Sequence, residues 1–139
     1  MEQRDETSLR RDRFLQTLRA LDEVIPPLPG VPPSIQRDSL IQRFEFTFEA
    51  MWKLLQRIAE TEGLDVASPR KALQAALASG LIDPDDETNA WEMIRNRNLT
   101  VHTYDEELAT EVNAFVRERA ILVFRKIAER IGPEGEKAL

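Results

Sequence analysis

The residues best suited to chemistry lie close together near position 100. Four residues separate Arg97 from His102, and His102 and Tyr104 are the one histidine and the one tyrosine of the chain. An imidazole can take or give a proton near neutral pH, and a guanidinium can stabilise negative charge on a phosphoryl group. This pairing suits phosphodiester cleavage, and in RNA the 2′-hydroxyl could be the internal nucleophile, so that no metal is needed. A second interpretation stays open, with a histidine that satisfies a buried carbonyl and arginines on a solvated helix face.

Arg97 and His102 would not share a face within one continuous helix. Five residues at about 100° each place the two side chains about 140° apart. A break between them would let the side chains converge, and three β-branched residues, Thr100, Val101 and Thr103, favour a break there. Alternatively, two copies of the chain could supply the two groups across a dimer. The sequence leaves both arrangements open.

The elements that must position these residues are helices. Apolar residues recur every three or four positions, which is the pattern of a helix face packed on a core. It predicts helices over about residues 7–25, 34–62 and 70–79, a fourth that Asp85 or Asp86 caps and that runs towards Arg97, and a last one over about residues 105–131. Ser34 and Ser68 are expected to cap the second and third helices. No segment alternates apolar and polar residues long enough to indicate a strand.

Five prolines and a glycine between residues 26 and 33 predict a rigid connector after the first helix. The expected fold is all-α, an antiparallel bundle of four long helices with one short extra helix. A single domain is expected over residues 1–139, with short mobile tails at about 1–6 and 132–139.

The composition narrows the class of protein. Apolar residues make up 42% of the chain and charged residues 32%, as in soluble globular proteins. There is no cysteine, which excludes disulfides and a thiol nucleophile. No signal peptide and no apolar run of membrane-spanning length is visible, so a cytoplasmic location without membrane contact is expected. The net charge of −6 argues against a broad nucleic-acid-binding surface but allows a local basic cleft.

The spacing Arg97-x4-His102-x-Tyr104 resembles the Arg-x4–6-His motif of the HEPN superfamily, in the extended form of HepT-type toxins. Further blocks resemble its subgroup of nucleotidyltransferase substrate-binding proteins. They lie at residues 43–49, 52–53, 68–70, 80–82 and 91–105, within a resemblance over about residues 38–128. Asn98 also fits, because a polar residue commonly follows the motif arginine. Asn96 departs from the pattern, where an acidic residue is more common.

The resemblance implies a helical bundle that forms a homodimer, with two motifs facing a shared cleft. It further implies a metal-independent ribonuclease toxin without a cofactor. The resemblance does not decide which RNA is cut, and tRNA is one possible target. The implied partner is a minimal nucleotidyltransferase antitoxin that can transfer AMP to the motif tyrosine, here Tyr104. Arg97 and His102 would then be catalytic, while Arg95, Asn98 and Tyr104 would contact substrate.

Several other side chains allow two interpretations. Glu45 and Glu49 lie one helical turn apart and could support Arg97 or lie on a solvated edge. A metal site is not expected, since only one histidine is available. Trp52 and Trp91 are interpreted as core or dimer contacts rather than base-stacking platforms. Arg70, near a helix start, is interpreted as a surface arginine, with phosphate binding as the alternative.

Two other functions compete with the ribonuclease. The chain could be a non-catalytic module that presents a substrate, or its own Tyr104, to a nucleotidyltransferase, and its acidic charge favours this slightly. It could also be a structural helical dimer without chemistry.

Overall fold

The computed structural model describes residues 5–131. The tails predicted at 1–6 and 132–139 lie outside the described residues, except that Asp5 caps the first helix and Glu6 begins it. The helices are α1 (Glu6–Asp22), α2 (Pro33–Thr61), α3 (Pro69–Ser79), α4 (Glu87–Leu99), α5 (Glu106–Phe115) and α6 (Ile121–Ile131). Short 3-10 turns lie at Pro84–Asp86 and Thr100–His102, and a π-helical turn at Val116–Ala120 joins α5 to α6. No strand occurs in this part of the chain, so the predicted all-α bundle is confirmed.

Contacts between the helices give their directions. Arg10, near the start of α1, donates to the carbonyl of Lys53, near the end of α2, at 2.7 Å. Arg43, nearer the start of α2, donates to the carbonyl of Ala20, near the end of α1. These two helices are therefore antiparallel. Helix α4 also runs antiparallel to α2, which brings the end of α4 beside the middle of α2.

Four fully buried phenylalanines occupy the centre of the bundle. Phe44 of α2 has its ring centroid 6.1 Å from that of Phe124 and 6.4 Å from that of Phe115, and Phe14 lies 6.1 Å from Phe124. Phe48, one turn further along α2, continues this cluster towards α4. Burial of such large rings fixes the rotation of α2, so that Glu45 and Glu49 lie at the edge of the core rather than inside it.

Of the three predicted side-chain caps, the one at the start of α3 is present, and those at the starts of α2 and α4 are absent. Ser68 accepts a hydrogen bond from the backbone N–H of Lys71, as predicted. Ser34 does not cap α2, because the helix already begins at Pro33, whose fixed φ suits a first helical position. Asp86 lies at the predicted N-cap position of α4, but its side chain makes no capping hydrogen bond. Asp85 and Asp86 lie in the preceding 3-10 turn, and the carboxylate of Asp86 pairs with Lys126 at 3.0 Å.

A buried glutamine holds the proline-rich connector against α2. Gln36 donates to the carbonyls of Val24 at 2.8 Å and Pro26 at 2.6 Å, and it accepts from the backbone N–H of Leu28 at 3.1 Å. A segment rich in proline lacks backbone donors and cannot pair its carbonyls by forming a helix. The amide of Gln36 supplies these partners and so fixes the loop.

Candidate functional site

Arg97, in the last turn of α4, lies against the side of α2 and is only partly exposed. Its Nη2 donates to Glu49 in a very close ion pair, and its Nη1 donates to the side-chain oxygen of Asn98 at 3.3 Å. The guanidinium lies over the ring of Phe48, with 5.6 Å between Cζ and the ring centroid. These contacts use two of the five N–H donors of the guanidinium and hold its plane in one orientation.

Glu49 is itself held in place. Its Oε2 accepts a hydrogen bond from Nε1 of Trp52 at 3.0 Å, while its Oε1 binds Arg97. Trp52 is half-buried against the core, which limits the movement of this donor. The predicted supporting role of Glu49 therefore has a geometric basis, in a chain of contacts from Trp52 through Glu49 to Arg97.

Glu45 supports the turn that follows α4. The hydroxyl of Thr100 lies 2.7 Å from the carbonyl of Arg97 and 3.2 Å from Oε2 of Glu45, so its one proton can be donated to either oxygen. The hydroxyl of Thr103 donates to the carbonyl of Thr100 at 3.0 Å. Threonine hydroxyls that bind nearby carbonyls compete with regular helical hydrogen bonds, and this favours the observed 3-10 turn.

His102 is the last residue of this turn and is exposed to solvent. Its carbonyl accepts from the backbone N–H of Asp105, which caps α5 with its own carboxylate. The rings of His102 and Tyr104 meet edge to face, with 6.0 Å between their centroids. Tyr104 is 85% exposed and Val101 is 72% exposed, so the turn presents two large apolar groups to the outside.

The predicted break between α4 and α5 exists, but it does not join the two motif residues directly. Within residues 5–131, no hydrogen bond or ion pair connects Arg97 with His102. Arg97 binds groups on α2, whereas His102 borders a groove on the side of α3 and α4. In one protomer the two motif side chains therefore have different contacts.

Asn98 and Arg95, both exposed, line the same groove as His102. Arg95 donates to Glu111 at 2.5 Å, and this hydrogen bond is the main cause of the raised pKa of Arg95. Asn96, where an acidic residue was more expected, is buried and donates to the carbonyl of Glu92. Its side-chain oxygen has no hydrogen-bond partner in the described part of the chain.

Both tryptophans pack against the core, as predicted. Their indole N–H groups also donate hydrogen bonds that the sequence interpretation missed. Trp52 binds Glu49, and Nε1 of Trp91 donates to Glu87 at 3.2 Å. The available signal was spacing, because these pairs are three and four residues apart and share a helix face. Between residues 5 and 131 we find no cluster of three or more carboxylates or imidazoles suited to a metal ion, and no helix long and apolar enough to cross a membrane.

Comparison with known proteins places this geometry in a family. Residues 13–132 match the family described as "nucleotidyltransferase substrate binding protein like". A Haemophilus influenzae protein named "Probable ribonuclease HepT" is 36% identical over 92 aligned residues, which cover 59% of this chain and 61% of the relative. The match thus spans less than two thirds of that relative. A crystal structure of a Thermus thermophilus protein is 36% identical and superposes with a TM-score of 0.75, covering 86% of this chain and 98% of the other.

The family match and the similarity to a protein named as a ribonuclease HepT support a HEPN-like protein of the HepT-related group. The chain belongs to the nucleotidyltransferase substrate-binding-protein-like family, which matches most of its length.

Proposed function

We propose that this chain is a metal-independent endoribonuclease of the HepT type and the toxin of a toxin–antitoxin pair. The observation that carries the proposal is the motif Arg97-x4-His102-x-Tyr104, whose histidine and tyrosine are exposed after α4 and whose arginine is held by Glu49 of α2. The similarity to a protein named as a ribonuclease supports the same class of activity.

The reaction needs only groups that the chain and its substrate provide. The 2′-oxygen of RNA attacks the adjacent phosphorus, a cyclic phosphate forms, and the bond to the 5′-oxygen of the next nucleotide breaks. Arg97 stabilises the charge that develops on the phosphoryl oxygens, using N–H donors not occupied by Glu49 and Asn98. His102 takes the 2′-proton or returns a proton to the leaving oxygen.

The active site is proposed to be shared by two protomers of a homodimer. Arg97 and His102 contact different surfaces of one protomer, so a second copy can supply the missing group. Large apolar groups are available for such contacts, since Phe46 is 51% exposed on α2 and Val101 is 72% exposed on the motif turn.

Replacement of Glu49 is expected to reduce catalysis through Arg97 rather than through the fold. In Glu49→Gln the ion pair is lost, the guanidinium is no longer fixed, and kcat for RNA cleavage should fall about tenfold. Glu60→Gln, an exposed position on the same helix, is the matched control. Steady-state kinetics with a melting curve for each variant measure the effect. A Glu49→Gln enzyme with normal kcat would remove Glu49 from the site.

Tyr104 is the proposed point of control. Its phenol is accessible, and a nucleotidyltransferase partner could join it to the α-phosphate of ATP, with loss of the phenolic proton and release of pyrophosphate. The product carries a negative charge and a bulky group next to His102, where RNA phosphate must bind.

AMP transfer to Tyr104 is therefore expected to abolish RNA cleavage. Tyr104→Phe should keep cleavage within about threefold of wild type, because no hydrogen bond of the phenol is needed for the turn, and it should resist inactivation. Mass spectrometry of the chain after incubation with ATP and the partner, followed by a cleavage assay, tests this. Modification at another residue, or full activity of the Tyr104 adduct, would contradict it.

The test of the function itself is expression of the chain without a partner. Growth arrest with fragmented RNA is expected for the wild type, and neither should occur with the double variant Arg97→Ala/His102→Ala. Normal growth and intact RNA for both would count against catalysis.

A non-catalytic subunit of a nucleotidyltransferase is the second candidate, favoured by the acidic charge of the chain and by the family description. It predicts a stable complex with the partner and no RNA cleavage by the free dimer.

A further inference from the structure

Two grooves flank the motif turn, and their charges differ. One, of about 550 Å³, is lined on the α2 side by Asp38 and Glu45. The other, of about 500 Å³, is lined by Arg70, Trp91, Arg95, Asn98 and His102, together with apolar side chains of α4. We call the second one the Arg70–Trp91 groove. Its lining includes no carboxylate, although the chain has a net charge of −6.

The positive charge of this groove is concentrated at its α3 end. Arg95 is neutralised in part by its hydrogen bond to Glu111. Arg70 is exposed and makes no ion pair with any residue between 5 and 131, so its guanidinium keeps an uncompensated charge. Arg70 therefore attracts an anion to this side of the turn, whereas the other groove contains the carboxylates of Asp38 and Glu45.

Arg70 also lies over the indole of Trp91. The guanidinium carbon of Arg70 lies 5.0 Å from the centroid of the indole of Trp91, within the range of a cation–π contact. The hydrogen bond to Glu87 and packing against the core hold the indole in place. Nucleobases stack on aromatic rings and on arginine planes when they are unpaired. A single nucleotide in the groove could therefore contact both a stacking surface and a positive charge.

We infer that the Arg70–Trp91 groove binds one unpaired nucleotide of the RNA next to the scissile phosphate, with its base stacked on the exposed guanidinium of Arg70, which Trp91 supports from behind. This inference rests on the proposed ribonuclease function and specifies the side from which the RNA enters the site. RNA approaches from the α3 side, and its backbone stays away from the groove that carries Asp38 and Glu45. Single-stranded segments are preferred, since a paired base cannot turn into the groove.

Binding is measured without cleavage by titrating the wild-type chain with a short single-stranded RNA whose 2′-hydroxyls are methylated. Arg70→Ala and Trp91→Leu are each expected to weaken binding about tenfold. Lys71→Ala removes the same charge from the adjacent exposed position, which does not line the groove, and should change the dissociation constant less than twofold.

A strand of equal length without bases separates stacking from charge. The strand without bases should bind the wild type about tenfold more weakly than the methylated RNA does. Its affinity for Trp91→Leu should equal its affinity for the wild type. Arg70→Glu, at an exposed position, gives a second variant should Trp91→Leu fold poorly. If Trp91→Leu weakened binding of the methylated RNA and of the strand without bases by the same factor, base stacking would be overturned.

These binding experiments distinguish failure of the groove assignment from failure of the proposed ribonuclease function. Cleavage that requires Arg97 and His102, with normal RNA binding by Arg70→Ala and Trp91→Leu, overturns the groove assignment alone. Loss of binding to a nucleotidyltransferase, with RNA binding intact, would assign the groove to protein docking and overturn it as well. If the wild type cleaves no RNA, the function fails, and the methylated strand still tests the groove.

Discussion

RNA cleavage is expected to fall by about 10²- to 10⁴-fold when alanine replaces either Arg97 or His102. Removal of the guanidinium leaves the charge on the phosphoryl oxygens without its main donor, and removal of the imidazole leaves the proton transfers to water. The loss should appear in kcat, because both interactions strengthen in the transition state. Single-turnover cleavage of a labelled RNA by purified variants measures it.

The structure provides good controls for this experiment. His102 is exposed, so its truncation should leave the melting temperature within about 2 °C of wild type. Arg13→Ala removes an exposed arginine from α1 and should retain full activity. Arg97→Lys keeps the charge but loses the planar fork, and should remain at least tenfold impaired. A residual rate near wild type in either alanine variant would show that catalysis uses other groups.

A mixed dimer of the two inactive variants is expected to regain about half of the wild-type activity. If Arg97 of one protomer acts with His102 of the other, then a dimer of one Arg97→Ala chain and one His102→Ala chain has one complete site and one empty site. Co-expression with two different tags allows the mixed dimer to be isolated and assayed. Homodimers of each variant, purified in the same way, are the controls.

The result separates the two arrangements left open by the sequence. A mixed dimer no more active than its parents would place Arg97 and His102 of one protomer in the same site. The described contacts favour sharing, because Arg97 lies on Glu49 of α2 while His102 borders the groove on the α3 side.

Much of the fold was predictable because it depends on local rules. Apolar periodicity predicted the helices within a few residues, and Ser68 followed by Pro69 marked the start of α3. The break after α4 was predicted from β-branched residues, and the 3-10 turn at Thr100–His102 confirms it. The π-helical turn at Val116–Ala120 was missed, since the apolar pattern continues through it.

The errors and omissions arise where distant residues decide the outcome. Asp86 lies at the N-cap position of α4, but its carboxylate binds Lys126, 40 residues away, and makes no capping hydrogen bond. The contact of Glu49 with Arg97 joins positions 48 residues apart, and the sequence indicated only that Glu49 could support the arginine. The stacking of Arg70 on Trp91 depends on how α3 packs beside α4, which no pattern within either helix contains.

The most direct measurement is the end group left on a defined RNA after incubation with the purified wild-type chain in excess EDTA. Attack by the 2′-oxygen predicts cleavage that persists in EDTA, leaves a 2′,3′-cyclic phosphate, and stops when the 2′-hydroxyl at the cut site is methylated. Intact RNA, cleavage that requires added metal, or cleavage of the methylated site would contradict the account.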